Sequence, residues 1–311
     1  LIQISAHQVN SALDWSSLIE AMGNAHRLGL HPQIGDLLLE QSGRSLLVRA
    51  SMFDDVGIGL KAVTIFPENP GRDQPRPTVQ GDFLLFDEQD GSVLASIDGA
   101  AITPWKTAAD SALGSSLLSR SDAKVMTMIG AGVMARPLIE AHLSVRPSIE
   151  RICLWNRTKG SAERLAGQIA SSGLRIEFID RLEEAVHGAD IVSSATLSRE
   201  PLIRGEWLKA GAHVDLVGAF RPDMREADDE TMRRGRIFVD ARATTVEHIG
   251  EISIPLAAGV ISLSDIEADL FDLCSGYAVE RAADGITVFK NGGGAHLDLI
   301  TAKLIYEKCG P

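Results

Sequence analysis

Cysteine is scarce in this chain. Its three cysteines, Cys153, Cys274 and Cys309, are far apart, odd in number and without the short spacing that metal ligands need. Reduced thiols are therefore expected, and no metal site. Long apolar runs are missing as well: none approaches the roughly 18 to 20 residues that span a bilayer. The first residues, LIQISAHQVN, lack a basic segment followed by an apolar one, so a cytoplasmic location is expected. Basic charge is in deficit, with 30 Lys and Arg against 42 Asp and Glu. A net charge of −12 with no local basic cluster disfavours nucleic acid and anionic lipid, and neither is expected as a partner. Internal repeats and low-complexity tracts are also missing.

What is present is the balance of a globular protein, 45% hydrophobic and 23% charged, in 311 residues that suffice for about two domains. Residues 13–30 place Leu13, Leu18, Ile19, Met22, His26 and Leu30 near helical spacing, which predicts an amphipathic helix. Residues 45–53, 57–66, 81–91 and 92–100 are short, rich in β-formers and separated by turn residues, which predicts an antiparallel meander with a hairpin turn at 87–91. Residues 67–77 read as a proline-rich loop, and residues 107–120 as a helix. A domain boundary is expected near Arg120. Beyond it, near-continuous apolar strands alternate with helices, the pattern of a parallel sheet covered on both faces. The tail, residues 285–308, joins a strand, a glycine run and a last helix.

The segment VMTMIGAGVMARPLIEAH carries a candidate cofactor site, because Gly130, Gly132 and Ala135 form G-x-G-x-x-A between an expected strand and helix. Gly130 permits the tight turn, Gly132 admits a pyrophosphate close to the backbone, and Ala135 lets the helix pack on the strand. The amides of the helix start, with Val133 and Met134, would face the phosphates. At the end of the next strand an NAD enzyme usually carries Asp or Glu for the ribose hydroxyls. Asn156, Arg157 and Thr158 stand there instead. The Arg157 fork and the Thr158 hydroxyl can bind a 2′-phosphate through charge-assisted bonds of roughly 1.5 to 3 kcal/mol each, which points to NADP(H). Thr196, Gly218 and Phe220 end later strands, where a doubly wound sheet faces its ligand. Phe220 either closes over the cofactor ring or is a core phenylalanine.

Several motifs together resemble the ornithine cyclodeaminase and mu-crystallin family, from Arg49 to Asp298. They are LLVRASM, GLKAVTIFPENP, TPWKTAADSALG, MIGAGVMA, LWNRT, VGAFRPDMREAD, the Gly250-Glu251 pair and TVFKNGGGAHLD. The resemblance implies an α/β fold: a Rossmann doubly wound parallel sheet inserted in an α+β domain for substrate binding and dimerisation. The expected ranges are 121–288 for the Rossmann domain and 1–120 plus 289–311 for the other, with a homodimer as the assembly.

Within that family, an aspartate that assists amine chemistry in the cyclodeaminases is replaced here by Phe220, and the NRT segment resembles the ketimine reductases. The resemblance thus implies an oxidoreductase that reduces a small cyclic ketimine carboxylate with NADPH: 1-pyrroline-2-carboxylate to L-proline, or 1-piperideine-2-carboxylate to pipecolate. Arg49, Lys61 and Lys106 would hold the carboxylate, with Lys61 also influencing protonation at the ring nitrogen. Lys106 stands where much of the family has Arg, so carboxylate binding is looser or a smaller ring preferred. Asp298 is either a substrate or nicotinamide contact or an acid favoured by a helix N-terminus. The histidines show no ligand spacing. Ornithine cyclodeamination, alanine-type dehydrogenation, 3-hydroxyproline dehydration and NADP(H) binding without turnover are the rival readings.

Overall fold

The computed structural model describes residues 1–169, 174–280 and 284–310. Residues 170–173, 281–283 and 311, which the expected domain ranges include, lie outside the described residues. After a short strand β1 (Ile2–Ile4), Ser5 starts α1 (Ala6–Ala12) through a capping box with Gln8. Asp14 then caps α2 (Trp15–Arg27) by accepting from Ser17 N at 2.9 Å. This is the helix expected over 13–30, and it buries Leu18, Ile19, Met22 and His26. Five strands follow: β2 (Gln33–Gln41), β3 (Arg44–Phe53), β4 (Gly57–Ile65), β5 (Val79–Phe86) and β6 (Val93–Asp98). They form the expected antiparallel meander, and β1 closes the far side by lying parallel to β6, in the order β1-β6-β5-β4-β3-β2. Strand β2 had no readable signal, since nearly all of QIGDLLLEQ is exposed and no period of two marks an inner face. It reaches β3 through Ser42 and Gly43, both at positive φ (52° and 72°), as a two-residue hairpin requires.

Helix α3 (Gly99–Leu118) begins earlier than the expected 107, with Asp98 Oδ1 accepting from Ala101 N at 2.9 Å. Pro104 and Lys106 consequently lie inside the helix, and Lys106 is not beside its start. An eight-stranded parallel sheet follows. Its elements are β7 (Val125–Ile129), α4 (Ala135–Val145), β8 (Arg151–Trp155), α5 (Lys159–Ile169), β9 (Arg175–Phe178), α6 (Leu182–His187), β10 (Ile191–Ser194), β11 (His213–Leu216), α7 (Asp229–Arg234) and β12 (Gly235–Val239). Then come α8 (Arg242–Thr245), α9 (Gly250–Ala257), β13 (Ile266–Asp269), α10 (Leu270–Cys274) and β14 (Ile286–Lys290). The order β13-β12-β14-β11-β10-β7-β8-β9 reverses direction of growth at β7, as a doubly wound Rossmann sheet does. Ile129, Val192, Val214, Leu216, Ile237 and Val288 are buried in one apolar cluster on this sheet.

The chain ends in α11 (Ala295–Cys309), which packs on α2, β3 and β4. Two compact units result: residues 1–106 with 294–310 of the described chain, and residues 107–293. The divisions thus fall before Arg120 and after residue 288. Strand β14 pairs with β11 and β12 and so stays whole within the parallel sheet, whereas the expected boundary at 289 cut through it.

Candidate functional site

The glycine loop after β7 has the form a dinucleotide requires. Gly130 has φ +100°, and a Cβ there would come within 2.8 Å of Ala195 O, so only glycine fits. Its N–H donates to Trp155 O at 2.9 Å. Gly132 faces open space, with nothing within 4 Å of the position a Cβ would take. Ala135 is fully buried where α4 meets β7, and Val133 and Met134 form the turn just before that helix. Val133 is 87% exposed. Asn156 braces the loop: its Oδ1 accepts from Ala131 N at 3.2 Å and its Nδ2 donates to Thr158 O at 2.8 Å. Arg157 and Thr158 are exposed, and Arg157 makes no ion pair among the described residues. A cavity of about 300 Å³ opens here, lined by Gly130, Gly132, Asn156, Arg157, Thr196 and Ser198 among others. Open backbone at Gly132, a cavity at the strand ends and an unpaired guanidinium together fit a dinucleotide.

At the ends of β10 and β11 the backbone is crowded, because a Cβ on Gly218 would collide with Thr196 O and Thr196 N. Phe220, two residues on, is 61% exposed. It is therefore no core phenylalanine, and the core alternative is corrected. Its neighbour Ala219 is the buried member of the pair.

In the other unit, the antiparallel register aligns Asp36, Arg49 and Lys61 across β2, β3 and β4, which puts their side chains on one face. Arg49 Nε donates to both Asp36 carboxylate oxygens at 3.1 and 3.0 Å, and its Nη2 donates to Oδ2 at 2.7 Å. Lys61, although buried, donates from Nζ to Asp298 Oδ1 at 2.7 Å and to Thr103 Oγ1 at 3.4 Å. Lys106 Nζ stands 3.9 Å from Asp298 Oδ2. Asp298 is 1% exposed in the first turn of α11. Burial alone would raise its pKa, but the charges of Lys61, Lys106 and Arg49 and the Lys61 hydrogen bond hold the carboxyl below its ordinary value. Asp298 is therefore the ionised counter-charge of a buried lysine pair. Three cations face two carboxylates in this cluster.

Two histidines flank the cluster, with His26 edge-on to His296 at a centroid distance of 5.4 Å. Burial lowers His26 to about 4, against the raising effect of its Nδ1 donating to Met22 O at 2.7 Å. The folded chain thus binds fewer protons here than the unfolded one between pH 6.5 and about 4. Its contribution to stability is full above 6.5 and is lost as the pH falls through about 4. In urea unfolding, the wild type should lose about 2 kcal/mol more than His26→Gln between about pH 7.5 and about pH 5. Parallel losses in the two proteins would remove His26 as a source of acid sensitivity.

A pattern common to the ornithine cyclodeaminase/mu-crystallin family matches residues 27–310. The chain belongs to that family. It is 43% identical over 303 residues, 97% of this chain and 95% of the relative, to a Delta(1)-pyrroline-2-carboxylate reductase of Paracoccus denitrificans (strain Pd 1222). Among solved structures it resembles the Thermococcus litoralis Delta(1)-pyrroline-2-carboxylate reductase in complex with NADH and L-proline, with a TM-score of 0.89, 31% identity and coverage of 99% and 97% of the two chains. An archaeal alanine dehydrogenase dimer with bound NAD gives a TM-score of 0.90 at 27% identity, covering 99% and 95%.

This family member is an oxidoreductase. Its fold brings together Lys61, Lys106 and Asp298 as one buried group, with Arg49 beside them, and gathers Gly130, Gly132, Asn156, Arg157 and Thr196 around one cavity. Asp36 was missed, because nothing in QIGDLLLEQ distinguishes an acid that meets Arg49 across strands from a surface charge. Glu226 was missed too, although it lies within the VGAFRPDMREAD motif.

Proposed function

We propose that this oxidoreductase reduces a small cyclic ketimine carboxylate with NADPH: 1-pyrroline-2-carboxylate to L-proline first, and 1-piperideine-2-carboxylate to pipecolate as the six-membered homologue. The observation that carries this reading is the buried pair Lys61 and Lys106 balanced by Asp298, with Arg49 paired to Asp36 beside them. Such a substrate has one carboxylate for the cations and one C=N bond to reduce. The relatives, a pyrroline-2-carboxylate reductase bound to L-proline among them, support the same substrate class.

NADPH, held by the Gly130 and Gly132 loop with Arg157 and Thr158 on its 2′-phosphate, would supply a hydride to C2 of the ring. The residues of this chain do the rest. Lys61, Lys106 and Arg49 bind and orient the carboxylate. An imine carbon accepts hydride readily once its nitrogen is protonated, and three bare cations would oppose that extra charge. Asp298 and Asp36 offset two of them, so an iminium is tolerated. Asp298 is held ionised and cannot give the proton, so the lysines that face it, Lys61 at 2.7 Å and Lys106 at 3.9 Å, are the donors this cluster offers.

The reading includes a homodimer in the cytoplasm. Edge strand β2 exposes Leu37, Leu38 and Leu39 at 50%, 50% and 54%, an apolar edge that a second chain would cover. A sedimentation mass of one chain would contradict the dimer. Among the described residues, no helix is long and apolar enough to cross a membrane.

Purified protein given 1-pyrroline-2-carboxylate should oxidise NADPH with equal formation of L-proline, at a kcat/KM about tenfold or more above that with NADH. Ammonia release from ornithine without net cofactor turnover would replace the proposal by cyclodeamination. NADPH binding with no turnover of any imino, amino or hydroxy acid would favour a binding protein instead.

A further inference from the structure

Glu226 is fully buried and takes donors from the ends of β10 and β11, with Thr196, on the cofactor cavity, among them. Its Oε1 accepts from Ser194 Oγ at 2.6 Å, Thr196 N at 2.8 Å and Thr196 Oγ1 at 2.7 Å. Its Oε2 accepts from Gly218 N at 2.6 Å. One carboxylate therefore ties the end of β10 to the end of β11. The tie explains why Gly218 approaches Thr196 too closely for any side chain. It also commits the Thr196 hydroxyl inward, so that the methyl group is the part of Thr196 that faces Gly130. Glu226 is itself fixed: Glu251 accepts from the Glu226 and Ala227 N–H groups at 2.7 and 2.9 Å. Burial pushes the Glu226 carboxyl above its ordinary range, and the charge of buried Lys290, at the end of β14, acts against that shift.

In the sheet order, β7, β8 and β9 form one mononucleotide half of the Rossmann fold, and β10 and β11 belong to the other. Arg157 lies at the first half, which takes the adenine end. Glu226 bonds to the ends of β10 and β11, in the second. We infer that Glu226 is a positioning residue for the nicotinamide half of the dinucleotide, setting the spacing of the β10 and β11 ends against which that half is held. The inference rests on the proposed dinucleotide reading.

Glu226→Gln keeps the volume but replaces one acceptor oxygen by an NH2 donor, so a donor then faces Gly218 N–H or the Ser194 and Thr196 donors. The variant should bind NADPH about tenfold or more weakly and show a lower kcat, because a buried donor left unpaired is costly. Adenosine 2′,5′-bisphosphate, which carries only the adenine half, should lose less affinity than NADPH does, since Ser194 and Gly218 do not line the cavity that holds Arg157. Ser194→Ala removes one donor and should give a split in the same direction of about two- to threefold, and it decides the matter if Glu226→Gln fails to fold. Equal weakening toward both ligands, or undiminished NADPH binding, would overturn the role of Glu226. A wild-type protein that binds neither NADPH nor NADH would overturn the dinucleotide reading itself.

Discussion

Asp298→Asn should lower kcat for reduction of the cyclic imine about a thousandfold without raising KM in proportion. The magnitude follows from charge: an iminium about 4 Å from a carboxylate at an effective dielectric constant of about 20 gains about 4 kcal/mol, which is about three powers of ten in rate. KM should respond in the opposite sense. With Asp298 neutral, Lys61 and Lys106 lose the anion that stands 2.7 and 3.9 Å away, and the substrate carboxylate takes its place as their counter-charge. The same loss should cost the ligand-free protein about 3 to 5 kcal/mol of stability, since two buried ammonium groups lose this anion. Substrate or L-proline should then raise the melting temperature of the variant more than that of the wild type. Steady-state kinetics and thermal unfolding with and without L-proline check all three statements. An unchanged kcat with a raised KM would reduce Asp298 to a clamp for the lysines.

Arg157→Ala should lower kcat/KM for NADPH about tenfold to a hundredfold and leave NADH nearly unaffected, because a charge-assisted bond to the 2′-phosphate contributes about 1.5 to 3 kcal/mol. The fold should not notice, since Arg157 is exposed and makes no ion pair among the described residues. Salt offers a second readout: the NADPH preference of the wild type should shrink as ionic strength rises, and that of the variant should not. A similar one solved structure holds NADH, so the comparison of the two cofactors on the same preparation is the decisive measurement. Equal losses with both cofactors would mean that Arg157 shapes the loop rather than reading the phosphate.

Much of the cofactor half was legible in advance, because its logic is local. Gly130, Gly132 and Ala135 follow one another at a strand-to-helix turn, and Asn156, Arg157 and Thr158 close the next strand. The meander strands that bury alternate residues were legible for the same reason. Strand β2 was not, since its exposed leucines carry no inner face to read.

The charges show the opposite case. Arg49, Lys61, Lys106 and Asp298 could each be singled out as misfits in apolar surroundings or near a glycine run, but not paired. Lys61 and Asp298 are 237 positions apart and meet only because α11 returns to pack on β3 and β4. Asp36 reaches Arg49 only through strand register, and that pairing changed the cluster from three bare cations to three cations facing two acids. Phe220 was ambiguous in sequence and exposed in the fold. By itself, then, the sequence determined a family, a doubly wound sheet and the residue types available for binding, since these rest on neighbours along the chain. Which charge answers which was decided by tertiary structure alone, because the partner of a buried ion is set by sheet register and by the docking of distant helices.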